Sequence, residues 1–219
     1  YEFCSSLNDM PDKMDYVVIA TLADVRFEVL KELLARVSVT AILLEKVLFT
    51  RDEDYDAAKR ITQSMGVKTW VNCWRRIFPS YSEVLRFFEA RGQQVNKLTV
   101  EGGDIGLGCN GVHFVDLVKM FSPKSRFLID ASALDDGVID SKRKGFLEFT
   151  GKLSGRCGEI EFAIHSHRGL GNPISVVIQS ESLNVSVDEG SGEVSFVSEL
   201  SGEEFTKVFP TPLMSQVMG

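Results

Sequence analysis

The chain has 219 residues, with 24 lysines and arginines against 31 aspartates and glutamates, for a formal net charge of −7. Hydrophobic residues make up 44% and charged residues 25%, a balance that excludes a disordered chain. The acidity argues against nonspecific binding to nucleic acid or to an anionic membrane surface, so neither is expected as a partner.

The length suits one large domain or two small ones. No apolar run reaches the ~18 to 20 residues needed to cross a bilayer. The opening YEFCSSLNDM has neither a basic start nor a long apolar run, so no signal peptide is expected. Cys4, Cys73, Cys109 and Cys157 are scattered and form no CxxC pair, which predicts reduced thiols, no zinc cluster and a cytoplasmic protein.

Tyr16 to Ala20 (YVVIA) is a continuous apolar run, as in a strand buried on both faces. Asp24 is placed to cap a helix whose buried stripe is Phe27, Leu30 and Leu34. A second apolar run, Val39 to Glu45, follows, and the spacing fits a right-handed parallel crossover. Thr50 and Glu53 make a capping box for the next helix, which Gly66 ends. A lone crossover leaves a parallel sheet largely uncovered, so this segment reads as part of a larger α/β domain whose earlier strands precede Tyr1.

From Val67 the pattern alternates: Val67, Thr69, Val71 and Cys73 against Lys68, Trp70, Asn72 and Trp74, which predicts a strand. Pro79 and Ser80 open a helix with a capping box between Ser80 and Glu83, an apolar face of Tyr81, Val84, Leu85 and Phe88, and a stop at Gly92. A further helix is expected from about Gly111 to Phe121, with Phe114, Leu117, Val118 and Phe121 as its stripe. From Arg126 onward, short strands separated by Gly, Asn and Asp turns predict a large antiparallel sheet. The fold class is therefore α/β plus α+β: the C-terminal half of a Rossmann-type parallel domain over 1–70, then over 71–219 a mostly antiparallel open sheet with helices on one face. Phe146, Phe149, Ile164 and Val176 are candidates for an apolar outer face, which predicts a homodimer or higher homo-oligomer through it.

Gly106, Gly108 and Gly111 (GLGCNG) match G-x-G-x-x-G, with Asp130 placed as the ribose acid. The preceding EGGDI is too polar and glycine-rich for the buried strand this fingerprint needs, so a glycine-rich lead into a helix is preferred. His165 and His167 share a strand face, with Cys157 nearby in sequence. Without further ligands no metal site is expected. Lys142, Arg143 and Lys144 form a basic run that suits a diphosphate or a solvated turn.

Three segments together resemble the Gfo/Idh/MocA family of glucose-fructose oxidoreductase and inositol dehydrogenase. VVIATLADVRFEVL with ILLEKVLFT resembles the second half of its Rossmann domain, and Glu45-Lys46-Val47 stands where the family has Glu-Lys-Pro. Arg76, three residues before Pro79, resembles a second motif. EGGDIGLGCNGVHFVDLVKMF resembles a glycine-rich stretch leading into Asp-x-Gly-x-His-x-x-Asp, matched by Cys109, Gly111, His113 and Asp116, with cysteine in place of the first aspartate.

The resemblance implies hydride transfer between NAD or NADP and a sugar, cyclitol or nucleotide-sugar hydroxyl or ketone. It implies Lys46 and His113 as catalytic groups. Cys109, Asn110, Asp116 and Arg76 would meet the substrate, and Thr21, Glu45, Lys46 and Trp74 the cofactor. Lys46 follows a buried strand, at the carboxyl edge where open α/β sheets bind ligands. His113, read in the first turn of its helix and opposite the apolar stripe, would present a neutral imidazole, with Asp116 to orient it. A non-catalytic binding or assembly module of the same fold is the alternative, favoured by Val47 and Cys109.

Overall fold

The computed structural model describes residues 3–141 and 144–210. The chain divides between Cys73 and Trp74 into two compact units.

In the first unit, β1 (Lys13–Ile19), α1 (Arg26–Arg36), β2 (Ser38–Leu44), α2 (Asp52–Ser64) and β3 (Lys68–Val71) form two successive crossovers. The sheet runs in the order β1-β2-β3 and is parallel throughout. Leu30, Leu33 and Leu34 of α1 pack with Ile19, Ile42, Leu44, Phe49 and Ala58 in one apolar core. Successive crossovers of one hand that step in one direction put their helices on one face of the sheet. That corrects the expectation that YVVIA is buried on both sides: Ile19 is buried, whereas Tyr16 and Val18 are exposed.

The capping expectations for this unit also fail. Val25 stands at the N-cap of α1 and Arg51 at that of α2, and neither makes a side-chain cap bond. Thr50 lies one residue outside, and Asp52, Glu53 and Asp54 instead place negative charge in the first turn of α2, where the helix dipole favours it. The strand expected over Val67–Trp74 shrinks to β3, whose four residues are all exposed, because among the described residues it lies at the sheet edge and pairs only with β2.

The second unit opens with a 3₁₀ turn, Trp74–Ile77, and α3 (Pro79–Ala90). Pro79 takes the first helical position with Phe78 at the N-cap, so Ser80 lies inside the helix and makes no capping box. The buried face is Tyr81, Val84, Phe87 and Phe88, with Phe87 where Leu85 was expected. Then come β4 (Lys97–Gly103), α4 (Leu107–Phe121), β5 (Phe127–Leu134), the two-residue strands β6 (Ile139–Asp140) and β7 (Leu147–Glu148), β8 (Gly151–Cys157), β9 (Ile160–His167), β10 (Ser175–Gln179), β11 (Leu183–Asp188), β12 (Glu193–Ser198) and β13 (Glu203–Val208).

Eight strands form one sheet in the order β13-β12-β11-β10-β4-β9-β8-β5. Every pairing is antiparallel except β4 with β9. Leu98, Val100, Phe162, Ile164, Val176, Ile178, Val185 and Phe196 point from the sheet into a core shared with Tyr81, Phe88, Phe114 and Leu117 of the two helices. Each such side chain contributes roughly 1.5–3 kcal/mol by burial, and a one-residue slip of β4 or β9 would carry Glu101 or His165 into that core, so the register is fixed.

Ile164 and Val176 therefore do not form an apolar outer face: both are fully buried, and Phe149 packs against the core's edge. The outer face instead carries Thr99, Glu101, Ala163, His165 and Val177 in alternation with the core residues. No described helix is long and apolar enough to cross a membrane.

Candidate functional site

At the carboxyl edge of the parallel sheet, β1 and β2 end together. The Glu45 N–H donates to the Ile19 carbonyl at 3.1 Å, and the Asn72 N–H donates to the Leu44 carbonyl at 2.8 Å, continuing both ladders past the strand ends. The Asn72 amide then donates to Glu45 Oε1 at 2.6 Å. Lys46 follows directly, half-buried, with a cis peptide to Val47.

Buried Arg26, at the start of α1, reaches over the same edge. Its guanidinium donates to the Val47 carbonyl, to the Leu48 carbonyl at 2.8 Å and to the Thr21 carbonyl, tying the loop after β1 to the loop after β2. Lys46 thus sits in a turn held on one side by the Glu45–Asn72 bond and on the other by Arg26. Neither Arg26 nor Asn72 stands out in the sequence. A buried arginine beside an apolar stripe is the available signal, and its partners lie in loops with no pattern of their own.

In the second unit the glycine-rich stretch does follow a strand, contrary to the reading of EGGDI: β4 runs to Gly103. Asp104 and Ile105 turn the chain, their N–H groups donating to the His167 carbonyl at 2.9 Å and to Ser166 Oγ at 3.0 Å. Gly106 takes φ +73 at the N-cap of α4, a conformation that favours glycine. α4 begins at Leu107, so Cys109 and Asn110 occupy its first turn and His113 its second. That removes the first-turn dipole argument made for His113.

The arrangement is not a dinucleotide fold. The strand after α4 is β5, which lies three places from β4 and so builds no adjacent βαβ pair. Asp130 lies on β5, the strand at the end of the sheet, where its carboxylate accepts from the Ser132 N–H at 2.9 Å. The place where a phosphate would sit is filled by the Glu148 carboxylate, which accepts from the Gly108 N–H at 2.8 Å. Glu148 is buried and its neighbour Leu147 is exposed, the reverse of ordinary strand patterning, because the acid is drawn to the helix N-terminus.

A cavity of about 440 Å³ opens beside this turn, lined by Cys109 and Asn110 together with Gly106, Asp140, Glu148 and Phe149. The Asn110 amide donates to the Ile105 carbonyl at 2.7 Å. Two of the expected substrate residues therefore share one pocket.

The other two bind each other. Arg76 clamps Asp116 in a fork, Nε to Oδ2 at 2.6 Å and a terminal nitrogen to Oδ1 at 2.5 Å. His113 is only 1% exposed and counts among the buried residues of α4, which corrects the expectation that it lies opposite the apolar stripe; it packs edge-on to Trp74 with ring centroids 5.2 Å apart. The Arg75 guanidinium pairs with Glu189 and lies between two rings, 5.0 Å from the Trp74 centroid and 4.2 Å from that of Phe114. Of the basic run, Lys144 is exposed, and Lys142 and Arg143 lie outside the described residues.

No known sequence family matches the chain, and no curated protein matches it. Solved structures do. A UDP-N-acetylglucosamine 3-dehydrogenase, GnnA, from Acidithiobacillus ferrooxidans aligns over 99% of this chain and 70% of its own, at TM-score 0.74 and 14% identity. A super-repressor mutant of Gal80p from Saccharomyces cerevisiae aligns over 93% and 63%, at 0.70 and 14%. A dehydrogenase, MviM, from Clostridium difficile aligns over 94% and 66%, at 0.68 and 13%. The chain thus spans roughly two thirds of the length of the structures it matches. The fold is that of the Gfo/Idh/MocA-type oxidoreductases, as the three sequence segments imply.

Proposed function

We propose that the full-length protein is an NAD(P)-dependent oxidoreductase acting on a hydroxyl or ketone carbon of a sugar, cyclitol or nucleotide sugar. The observation that carries this reading is Lys46, held at the carboxyl edge of a parallel sheet between the Glu45–Asn72 bond and the Arg26 clamp. Glu45 and Asn72 supply an acceptor and a donor there, a set that suits the polar edge of a nicotinamide and its ribose. The cofactor, when bound, supplies or accepts the hydride.

The chain's own part is the proton. As the carbon–hydrogen bond breaks, the hydroxyl must lose a proton, and the Lys46 amine takes it, returning it in the reverse direction. His113 is assigned to the same proton transfer. Cys109, Asn110, Asp116 and Arg76 are assigned to the substrate, and Thr21, Glu45 and Trp74, with Lys46, to the cofactor. The reading includes self-association through the outer face of the sheet, tested by light scattering at micromolar concentration, where a monomer counts against it.

The test of the chemistry is turnover of the full-length protein, followed by NAD(P)H absorbance across sugars, cyclitols and nucleotide sugars. Lys46→Ala is expected to lower kcat by about 10²-fold or more, with a far smaller change in cofactor affinity. Full turnover by Lys46→Ala on a confirmed substrate overturns the mechanism.

A second reading, a non-catalytic binding module, is favoured by Cys109, which lines the cavity where the family pattern has an aspartate. It is favoured too by the repressor that shares the fold. Binding of such ligands by the wild-type protein without any change in NAD(P)H absorbance supports it.

A further inference from the structure

The outer face of the eight-stranded sheet holds a group of side chains that the proposed reaction does not use. His165 and His167 stand two residues apart on β9 and so share a face. Sequence offered Cys157 as their companion, but that thiol is fully buried in the core at the other end of the β8–β9 pair. The third group comes from the neighbouring strand. β4 runs parallel to β9 in a register that sets Glu101 opposite His165 and Gly103 opposite His167.

Glu101 Oε2 lies 2.6 Å from His167 Nε2 and 3.4 Å from His165 Nδ1, and the two imidazole centroids are 3.9 Å apart. One ligand atom from each of the three residues falls within 4.8 Å of the others.

We propose that Glu101, His165 and His167 bind a divalent transition-metal ion, zinc foremost, on the open face of the sheet. Two imidazoles and one carboxylate are a donor set that zinc accepts, at bond lengths of about 2.0–2.2 Å that put tetrahedral ligand atoms roughly 3.4 Å apart. The Glu101–His165 separation already has that value. The shorter Glu101–His167 contact is a hydrogen bond that the ion replaces, which needs a movement of about 1 Å in two side chains that are one third to one half exposed.

The scaffold is stiff where it matters. β4 and β9 are interior strands, and the side chains between the ligands, Val100, Ile164 and Ser166, are buried beneath them. The backbone spacing of the three ligands is therefore set before any ion arrives. In the monomer, partial exposure of all three side chains leaves a fourth coordination position open to water or to a small ligand, a position that self-association through this face would cover.

The neighbouring strands add Ser175, opposite Glu101 on β10, and Lys152, opposite His165 on β8. Lys152 is the opposing charge. It repels a cation and so tunes the site towards weak binding.

The test is calorimetric titration of the chelator-treated 219-residue chain with zinc chloride, paired with cobalt(II) absorption spectra. One saturable site of micromolar affinity is expected. His165→Ala, His167→Ala and Glu101→Gln should each weaken it by at least the about 10- to 100-fold typical of outer-shell losses. Lys152→Glu should tighten it several-fold. The cobalt spectrum should show tetrahedral bands without thiolate-to-metal charge transfer, and replacing Cys4, Cys73 and Cys109 together by serine should leave binding unchanged. The four single variants change side chains that are partly or fully exposed, so circular dichroism matching the wild type is expected. Absence of saturable binding overturns the proposal. So does binding that survives the histidine variants, disappears with the serine variants, or fails to tighten in Lys152→Glu.

Discussion

The Glu148 carboxylate and the Gly108 N–H are 40 residues apart in sequence and 2.8 Å apart in space. One of the donors left over at the start of α4 is thereby satisfied by a charge carried in from a two-residue strand. Glu148→Ala removes both the acceptor and the favourable charge, so urea unfolding is expected to show a loss of about 1–2 kcal/mol. Glu148→Gln keeps an acceptor and should lose less. Equal stability of all three proteins would show that the contact is incidental.

Gly111 and Gly103 give opposite expectations. A Cβ at Gly111 meets nothing within 4 Å, and the residue lies inside α4. Gly111→Ala should therefore stabilise the protein by about 0.5–1 kcal/mol in thermal or urea unfolding, since glycine is the poorer helix former. A nucleotide-binding glycine would not be replaceable in this way. At Gly103 a Cβ would lie 1.2 Å from the Leu170 carbonyl oxygen, so Gly103→Ala should cost more than about 4 kcal/mol or prevent folding.

Beneath the sheet, Glu189 accepts from Arg75 Nε at 2.8 Å and from the Tyr81 hydroxyl at 2.7 Å, and Arg75 and Tyr81 are both buried. Breaking this buried pair from one side leaves the other charge without its opposite, so Glu189→Ala and Arg75→Ala should each cost about 3–5 kcal/mol. Tyr81→Phe, which removes only one hydrogen bond, should cost about 1–3 kcal/mol. Arg75→Met combined with Glu189→Leu should recover much of the loss, and a double-mutant cycle measures the coupling.

The same cluster predicts an alkaline limit. Burial first, and then the charge and hydrogen bond of Glu189, hold the Tyr81 phenol well above its ordinary range. Because the folded state keeps its proton longer than the unfolded state, Tyr81 contributes fully below the ordinary phenol pKa of about 10. That contribution is lost as pH rises beyond it. Urea midpoints measured on both sides of that value should fall more steeply in the wild type than in Tyr81→Phe.

Arg26 ties the loop just after Lys46 to the loop after β1, so it acts as a positioning residue. In the full-length protein, Arg26→Lys should lower kcat by less than Lys46→Ala does and leave KM nearly unchanged, with a measurable loss of stability. A rise in KM at constant kcat would place Arg26 in binding instead.

The legible part of the fold was the part written in periodicity. The stripes of α1 and α4 hold, as do the crossover geometry and the glycines ending α2 and α3, because each depends on neighbours within one or two turns. β4 was not recognised, although it lies inside the large sheet. Leu98 and Val100 alternate with Thr99 and Glu101, but Gly102 and Gly103 mask the strand's end. Gly103 answers to backbone that approaches from Leu170, a constraint set 67 positions away that leaves no local mark, and Gly102 to the side chains of Ile105 and Ile174. Capping was misplaced for a related reason: Asp24, Thr50 and Ser80 carry suitable side chains, yet the strands and Pro79 set where the helices begin.

Cys109 and Asn110, both within the glycine-rich motif, line one cavity. Glu148, Asn72 and Arg26 were missed because their partners come from other segments of the chain.

The placement of β4 also governs how the second unit is assembled. One edge of β4 pairs with β9 and the other with β10, so the strand that comes first in this unit's sheet waits for residues up to Gln179 before both edges are closed. During synthesis, a chain that has emerged only as far as β9 carries β4 with one open edge, the geometry that invites pairing with another molecule. The sheet's centre therefore closes late and through long-range contacts, which makes for slow folding. A truncation before Ser175 would leave β4 without its β10 partner.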